Sequence, residues 1–225
     1  MNYKKHYIPL ESDPEIFTEL MHDLGVSSSL KFVDVCSLEE EELRLVQRPV
    51  LALILILPSC PAYEHRTIEG QIIANRAEEE VVWLKQTINN ACGLYAILHA
   101  VCSVPSSIIH TETESALHQL TKLAPPNRTK YLEDSEEVCR AYTKAAKKGV
   151  SAVPIAEDEV DHHYICFVTH SNRLYELDGD VDGPISRGSL AEGEDILTGS
   201  ARYIIRQYTE SKTDGTFGLL ALVED

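Results

Sequence analysis

The sequence predicts a single α/β (α+β) domain in which a central, mostly antiparallel β-sheet is flanked by helices. Three observations predict it. A chain of 225 residues, 44% hydrophobic and 25% charged, has the size and composition of one globular domain. Its first two thirds carry amphipathic segments with helix punctuation, whereas its last third carries short apolar runs separated by turns. No linker and no internal repeat divides residues 1–225.

The first helix spans residues 12–25. Ser12 or Asp13 can cap it, Pro14 and Glu15 suit its first turn, Gly25 follows its last, and Ile16, Leu20 and Leu24 form one apolar face. Lys31–Val35 is a short strand. Glu39–Val46 reads as a helix with an acidic outer face, ended by Arg48-Pro49 ahead of the apolar run Val50–Leu57, a buried strand. Asn89-Asn90 precedes a strong helix from Ala91 to Val104, stopped by Pro105, and residues 112–124 and 131–146 are helical too. From Lys147 to Glu159 the period is lost to Gly149, Ser151 and Pro154. The sequence there predicts a long irregular loop, of the kind that is functional or disordered in compact domains. His163–Thr169 and Arg173–Leu177 flank Ser171-Asn172 as a hairpin. Ala201–Tyr208 and Phe217–Val223 complete the strands.

Charge and cysteine usage limit the function classes. Twenty Lys and Arg against thirty-six Asp and Glu give a net charge of −16, with a pI near 4.9. Nucleic-acid binding needs a basic stripe to displace counterions, and the one dense cationic patch is Lys144, Lys147 and Lys148. An acidic surface either serves solubility or favours a basic partner, chiefly through encounter rate and partner choice. The longest apolar run, Val50–Leu57, is too short to span a bilayer, and the N-terminus lacks the apolar region of a secretory signal. Cysteines 36, 60, 92, 102, 139 and 166 show neither C-x-x-C pairs nor zinc-finger spacing. These features predict a cytoplasmic protein with reduced thiols and no zinc-finger site.

Chemistry concentrates in Lys85-Gln-Thr-Ile-Asn-Asn-Ala-Cys-Gly-Leu94. Cys92 falls in the first turn of the 91–104 helix, where the helix dipole and free N–H groups favour a thiolate. Gly93 lets a substrate backbone come close. Gln86 lies six residues upstream in a non-helical segment, and its amide could join the Cys92 N–H as paired donors to a developing oxyanion, each worth about 2.7–4 kcal/mol. The competing assignment for Cys92 is a small buried residue where a helix packs closely. A nucleophilic thiol also needs a base, and the base needs an orienting group. If Ser171 and Asn172 form the hairpin turn, Ile165 faces Asp178 and His163 shares that face, about 7–8 Å away on the diagonal. A one-residue slip would put the two on opposite faces. His162 is the rival base on the other face, His99 reads as a packing histidine within the Cys92 helix, and Asp178 could be merely a turn former in Asp178-Gly179-Asp180.

Gln86-Thr-Ile-Asn-Asn-Ala-Cys92-Gly93, with Asp161-His-His163-Tyr-Ile and Leu174-Tyr-Glu-Leu-Asp178-Gly179, resembles the ubiquitin C-terminal hydrolases, which are cysteine peptidases. The resemblance extends to Ile8-Pro-Leu-Glu11, Phe32-Val-Asp-Val35, Arg48-Pro-Val50 and Phe217-Gly-Leu-Leu-Ala-Leu222, and so covers about residues 7 to 223 of the short single-domain type. It implies a papain-like catalytic core with a knotted backbone, Cys92 as nucleophile, His163 as base and then acid, Asp178 orienting His163, and Gln86 completing an oxyanion hole. It implies a thiol protease of the ubiquitin conjugation pathway that hydrolyses the bond after the C-terminal glycine of ubiquitin through an acyl-enzyme. Residues 147–159 sit where the family's crossover loop lies over the active site. The acidic surface would meet ubiquitin, with Leu10, Glu11, Glu15 and Asp34 as substrate-binding residues of a monomer. Two other functions fit the same residues: a hydrolase for another ubiquitin-like modifier, or a ubiquitin-binding module without catalysis.

Overall fold

Nine apolar residues in a row can be buried on both faces only at the centre of a sheet, and Val50–Pro58 (β3) lies there. The protein is described by a computed structural model covering residues 3, 5–58, 71–72, 81–105, 108–109, 113–149, 162–204, 207–208 and 217–225. β3 pairs antiparallel with His162–His170 (β6) on one side and Gly218–Glu224 (β9) on the other. Leu30–Asp34 (β2) extends the sheet beyond β9, while Arg173–Leu177 (β7), Ile185–Ser189 (β8) and Gln71–Ile72 (β4) extend it beyond β6. All pairings in this seven-stranded sheet are antiparallel. Lys5–His6 (β1) and Ile88–Asn89 (β5) form a separate two-stranded parallel ladder.

Alternation divides the core into two layers. Ile54, Ile56, Cys166, Val168, Leu220 and Leu222 pack with Pro14–Asp23 (α1) and Cys92–Cys102 (α3) on one face. Leu53, Leu55, Ile165, Phe167, Leu219 and Ala221 pack with Ile196–Ile204 (α7) on the other. α1 begins as its sequence predicts, the Asp13 carboxylate accepting from the N–H groups of Glu15 at 2.8 Å and Ile16 at 3.1 Å.

The β6–β7 hairpin has the expected register, with Cys166 opposite Leu177 and His170 opposite Arg173. Ser171 and Asn172 both take left-handed backbone angles, φ 48° and 61°, the combination a two-residue hairpin turn needs to match strand twist.

Several expected elements differ. Ala201–Tyr208, expected as a strand, contributes its first four residues to α7. Ile196, Leu197, Ser200, Ala201 and Ile204 recur at helical spacing on the buried side, and Asp195 with Thr198 forms a reciprocal cap at 2.9 and 3.0 Å. The helix expected over 131–146 is two: Pro125–Asp134 (α5) and Glu136–Ala146 (α6), divided at Ser135, whose hydroxyl caps α6 through Val138 N–H at 3.2 Å. The prolines at the start of α5 occupy positions whose N–H would have no helical partner in any case. Within 112–124 the helix is Ala116–Lys122 (α4), and the 39–46 helix is the single turn Glu40–Leu43 (α2). Of the expected 147–159 loop, residues 150–159 lie outside the described residues. Among the described residues, no helix is long and apolar enough to cross a membrane.

Candidate active site

Cys92 is the first residue of α3, and Ala91 at the cap position offers no side chain to the free N–H groups there. The half-buried thiol therefore meets the positive end of a helix dipole. The loop that delivers it is held from three sides. Tyr7 N–H donates to the Asn89 carbonyl at 3.0 Å, alongside the β1–β5 ladder. Tyr142 of α6 donates its hydroxyl to the carbonyls of Ile8 at 2.8 Å and Asn90 at 3.1 Å, with its ring stacked on Tyr7. Tyr95 accepts from Thr87 N–H at 3.2 Å. Gly93 leaves room for Leu10, whose side chain would lie 3.2 Å from a Cβ at that position.

His163 and Asp178 meet just beyond the last paired residues of the hairpin. Nε2 of His163 lies 2.8 Å from Asp178 Oδ1, and the Asp178 carboxylate, fully buried, also accepts from Asp180 N–H at 2.8 Å. Asp178 occupies Nε2, which leaves Nδ1 free of that carboxylate, and Cys92 is near enough to raise the imidazole's pKa. Burial opposes charge on the ring, but the Asp178 carboxylate and the Cys92 thiol outweigh it. They hold His163 protonated well above the ordinary 6.5. A thiol, an imidazole and an orienting carboxylate in this order can carry nucleophilic acyl transfer.

Gln86 is buried and tied to the Asp178 turn. Its N–H donates to the Gly179 carbonyl at 2.9 Å, and its side-chain amide donates to the Ile88 carbonyl at 3.2 Å, leaving the second amide N–H for another acceptor. Residues with no expected role complete this clamp. Trp83 Nε1 donates to the Asp178 carbonyl at 2.8 Å. Lys85 Nζ donates to the carbonyls of Asp180 at 3.0 Å and Val181 at 3.1 Å and to the Asp182 carboxylate at 3.0 Å. Lys85 opens the Cys92 motif, but its acceptors lie ~95 residues away in the chain, a contact no local pattern reveals.

His99 is the buried packing histidine expected. Its Nε2 lies 3.0 Å from Leu84 N and 3.3 Å from Leu84 O, and burial pushes its pKa down to about 4, so it is neutral. His162 is exposed at the start of β6. Leu10 is only 4% exposed and packs beneath the nucleophile rather than on the surface. Glu15 and Asp34 are exposed. Partial burial and the nearby Asp13 charge raise the Asp34 pKa, so acidic groups crowd together there. Glu11 lies against Gly149, where a Cβ would come 2.3 Å from its carboxylate, so it touches the start of the 147–159 segment.

Comparison with known proteins gives one result throughout. Residues 7–210 match the family described as ubiquitin carboxyl-terminal hydrolase, family 1. The ubiquitin carboxyl-terminal hydrolase isozyme L1 of Monodelphis domestica is 35% identical over 209 residues, covering 90% of this chain and 91% of that protein. The Homo sapiens isozyme L1 is 33% identical over 208 residues, with the same coverage. Among solved structures, the Trichinella spiralis UCH37 catalytic domain bound to ubiquitin vinyl methyl ester superposes with a TM-score of 0.75 at 22% identity. That match covers 100% of this chain and 96% of that one, and it shows the fold.

Proposed function

The chain belongs to family 1 of the ubiquitin carboxyl-terminal hydrolases, and from that premise we propose how it works as a cysteine-type deubiquitinase. Cys92 attacks the carbonyl of ubiquitin's C-terminal glycine as a thiolate, with His163 holding its proton. The oxyanion of the tetrahedral intermediate is received by the Cys92 N–H and the Gln86 amide. His163 then protonates the leaving amine, the acyl-enzyme forms, and a water activated by His163 releases ubiquitin. Asp178 fixes the imidazole tautomer and stabilises the imidazolium, and the general-base step is worth about 10²–10⁴-fold. No metal or cofactor takes part.

The carrying observation is the His163–Asp178 hydrogen bond, with the Cys92 thiol at a helix N-terminus and near enough to act on the imidazole. Residues 1–225 act as one catalytic domain; the expected crossover segment 147–159 lies mostly outside the described residues. Glu11, Glu15 and Asp34 face the basic surface and tail of ubiquitin, and Leu10 supports Cys92 from below. The five described cysteines are all free thiols, as in a reducing cytoplasm, and the protein acts there as a monomer.

Turnover of ubiquitin bearing a fluorogenic amide at its C-terminus, for wild type and Cys92→Ala in parallel, tests this function. Hydrolysis by wild type and its loss in Cys92→Ala, with ubiquitin still bound, is expected. A folded wild type that binds ubiquitin without hydrolysis would reduce the protein to a binding module, and preference for another modifier at equal concentration would change the substrate.

A further inference from the structure

The carboxylate that orients His163 sits where the sheet no longer holds the chain. Pairing of β6 with β7 ends at Cys166 and Leu177, and pairing of β7 with β8 ends at Glu176 and Ile185. Residues 178–182 form a turn beyond these ladders, so the place of Asp178 depends on groups outside them. Within the turn, Asp180 N–H donates to Asp178 Oδ1 at 2.8 Å. A further hold comes from the segment that leads to Cys92. Trp83 Nε1 donates to the Asp178 carbonyl at 2.8 Å, and Gln86 N–H donates to the Gly179 carbonyl at 2.9 Å. An ammonium offers three donors. Those of Lys85 go to the carbonyls of Asp180 and Val181 at 3.0 and 3.1 Å and to the Asp182 carboxylate at 3.0 Å. Successive carbonyls of a strand point to opposite sides, so a cation that takes both of these enforces the turn. Asp182 is 91% exposed, which makes that ion pair weak; the charge-assisted carbonyl bonds are the stronger part. Between Trp83 and Lys85, the Leu84 N lies 3.0 Å from His99 Nε2 on α3. The segment thus bridges the helix of the nucleophile and the turn of the orienting carboxylate.

We propose that Lys85 and Trp83 are positioning residues of the reaction, shaping the 178–182 turn so that the Asp178 carboxylate stays against His163. Both act through Asp178 rather than on the reacting atoms. During attack His163 takes the thiol proton, and Asp178 stabilises the imidazolium that results. A carboxylate displaced by about 1 Å loses much of that effect, which lowers the rate by about 10²-fold. This role rests on the hydrolase function proposed above, whereas the hold of Lys85 on the turn does not.

Steady-state hydrolysis of the fluorogenic ubiquitin amide by Lys85→Met tests the assignment. kcat should fall by about 10²-fold while KM and ubiquitin affinity stay near wild type. Lys85→Arg, which keeps the cation and its donors, should recover most of the loss. In an Asp178→Asn background the same Lys85→Met change should reduce kcat by less than about threefold, because the group it acts through is already disabled. The pH profile separates positioning from a plain charge effect. Groups facing His163 include Asp178 at 2.8 Å, Asp180 at 3.8 Å and the nearby Cys92. Loosening Asp178 destabilises the imidazolium and moves the alkaline limb of kcat/KM to lower pH, whereas deleting a cation by itself moves it to higher pH. Trp83→Phe, which removes the indole donor and keeps an aromatic ring, should lower kcat in the same way, and it decides the matter if Lys85→Met folds poorly. A kcat unchanged in these variants, an undiminished loss in the Asp178→Asn background, or a limb moved to higher pH would overturn the proposal. If the wild type hydrolyses nothing, the hydrolase function fails, while the emission of Trp83, the one tryptophan of the chain, still reads the turn. A shift to longer wavelength in Lys85→Met then supports the hold, and an unshifted spectrum overturns it.

Discussion

Gly179 is where the two halves of the site touch. A Cβ there would lie 2.6 Å from Gln86 Cβ and 2.9 Å from Gln86 N, closer than real contacts allow. Both neighbours belong to a segment tied down by Trp83 and Lys85, so relief must come from separating Gln86 and Asp178. Gly179→Ala should therefore reduce kcat by about 10²-fold, the cost of a misplacement near 1 Å, while ubiquitin affinity stays as in wild type; a KM change without a kcat change would refute this. His99 makes a different kind of contribution. Its folded pKa of about 4 lies below the ordinary 6.5, so between those values the unfolded chain binds a proton that the folded chain does not. The associated stability is complete above pH 6.5 and is lost as pH falls toward 4, an effect of about 3 kcal/mol. Urea unfolding across that range should show the loss, and His99→Gln, though less stable overall, should show a flatter pH dependence.

At the scale of elements, the β6–β7 hairpin sets the distance between base and orienting carboxylate. Its register depends on a turn in which Asn172 has φ 61°, a backbone that a β-branched residue adopts only under strain. Asn172→Val should lower stability by about 1 kcal/mol, seen as a lower urea midpoint with an unchanged m-value; Asn172→Gly should cost nothing. This hairpin was legible in the sequence because turn and alternation are local signals, and His163 and Asp178 followed from it. Cys92 and Gln86 were legible for a similar reason, since they flank one helix start. The misread elements failed where two local signals conflict. Tyr203 and Ile204 suit a strand by propensity, yet the Asp195–Thr198 cap and the apolar spacing from Ile196 onward place them in α7. Pro125 and Pro126 fall between the expected helices 112–124 and 131–146, yet they begin α5. The clamp of Trp83 and Lys85 on residues 178–182 was not legible, because its partners meet only through the sheet topology.

Across the whole molecule, the net charge of −16 is not offset by the cationic patch that the sequence contains. Lys144 pairs with Asp23 at 2.6 Å and Lys148 pairs with Glu19, so α1 neutralises two of the three lysines in that patch. Other acidic groups stay uncompensated by that patch: Asp13 and Asp34 crowd each other and Glu15 is exposed on α1. An acidic field acts mainly on encounter with a basic partner rather than on the chemical step. The value of kcat/KM for ubiquitin amide should therefore fall by about tenfold or more as the Debye length shrinks from about 30 Å at 0.01 M salt to about 3 Å at 1 M. Meanwhile kcat should hold nearly constant, because the Asp178–His163 pair is buried and little screened. Glu15→Lys should reduce the slope of that salt dependence without altering kcat. A kcat/KM that ignores salt would mean that the acidity serves solubility alone, and that ubiquitin is recognised by shape and apolar contact.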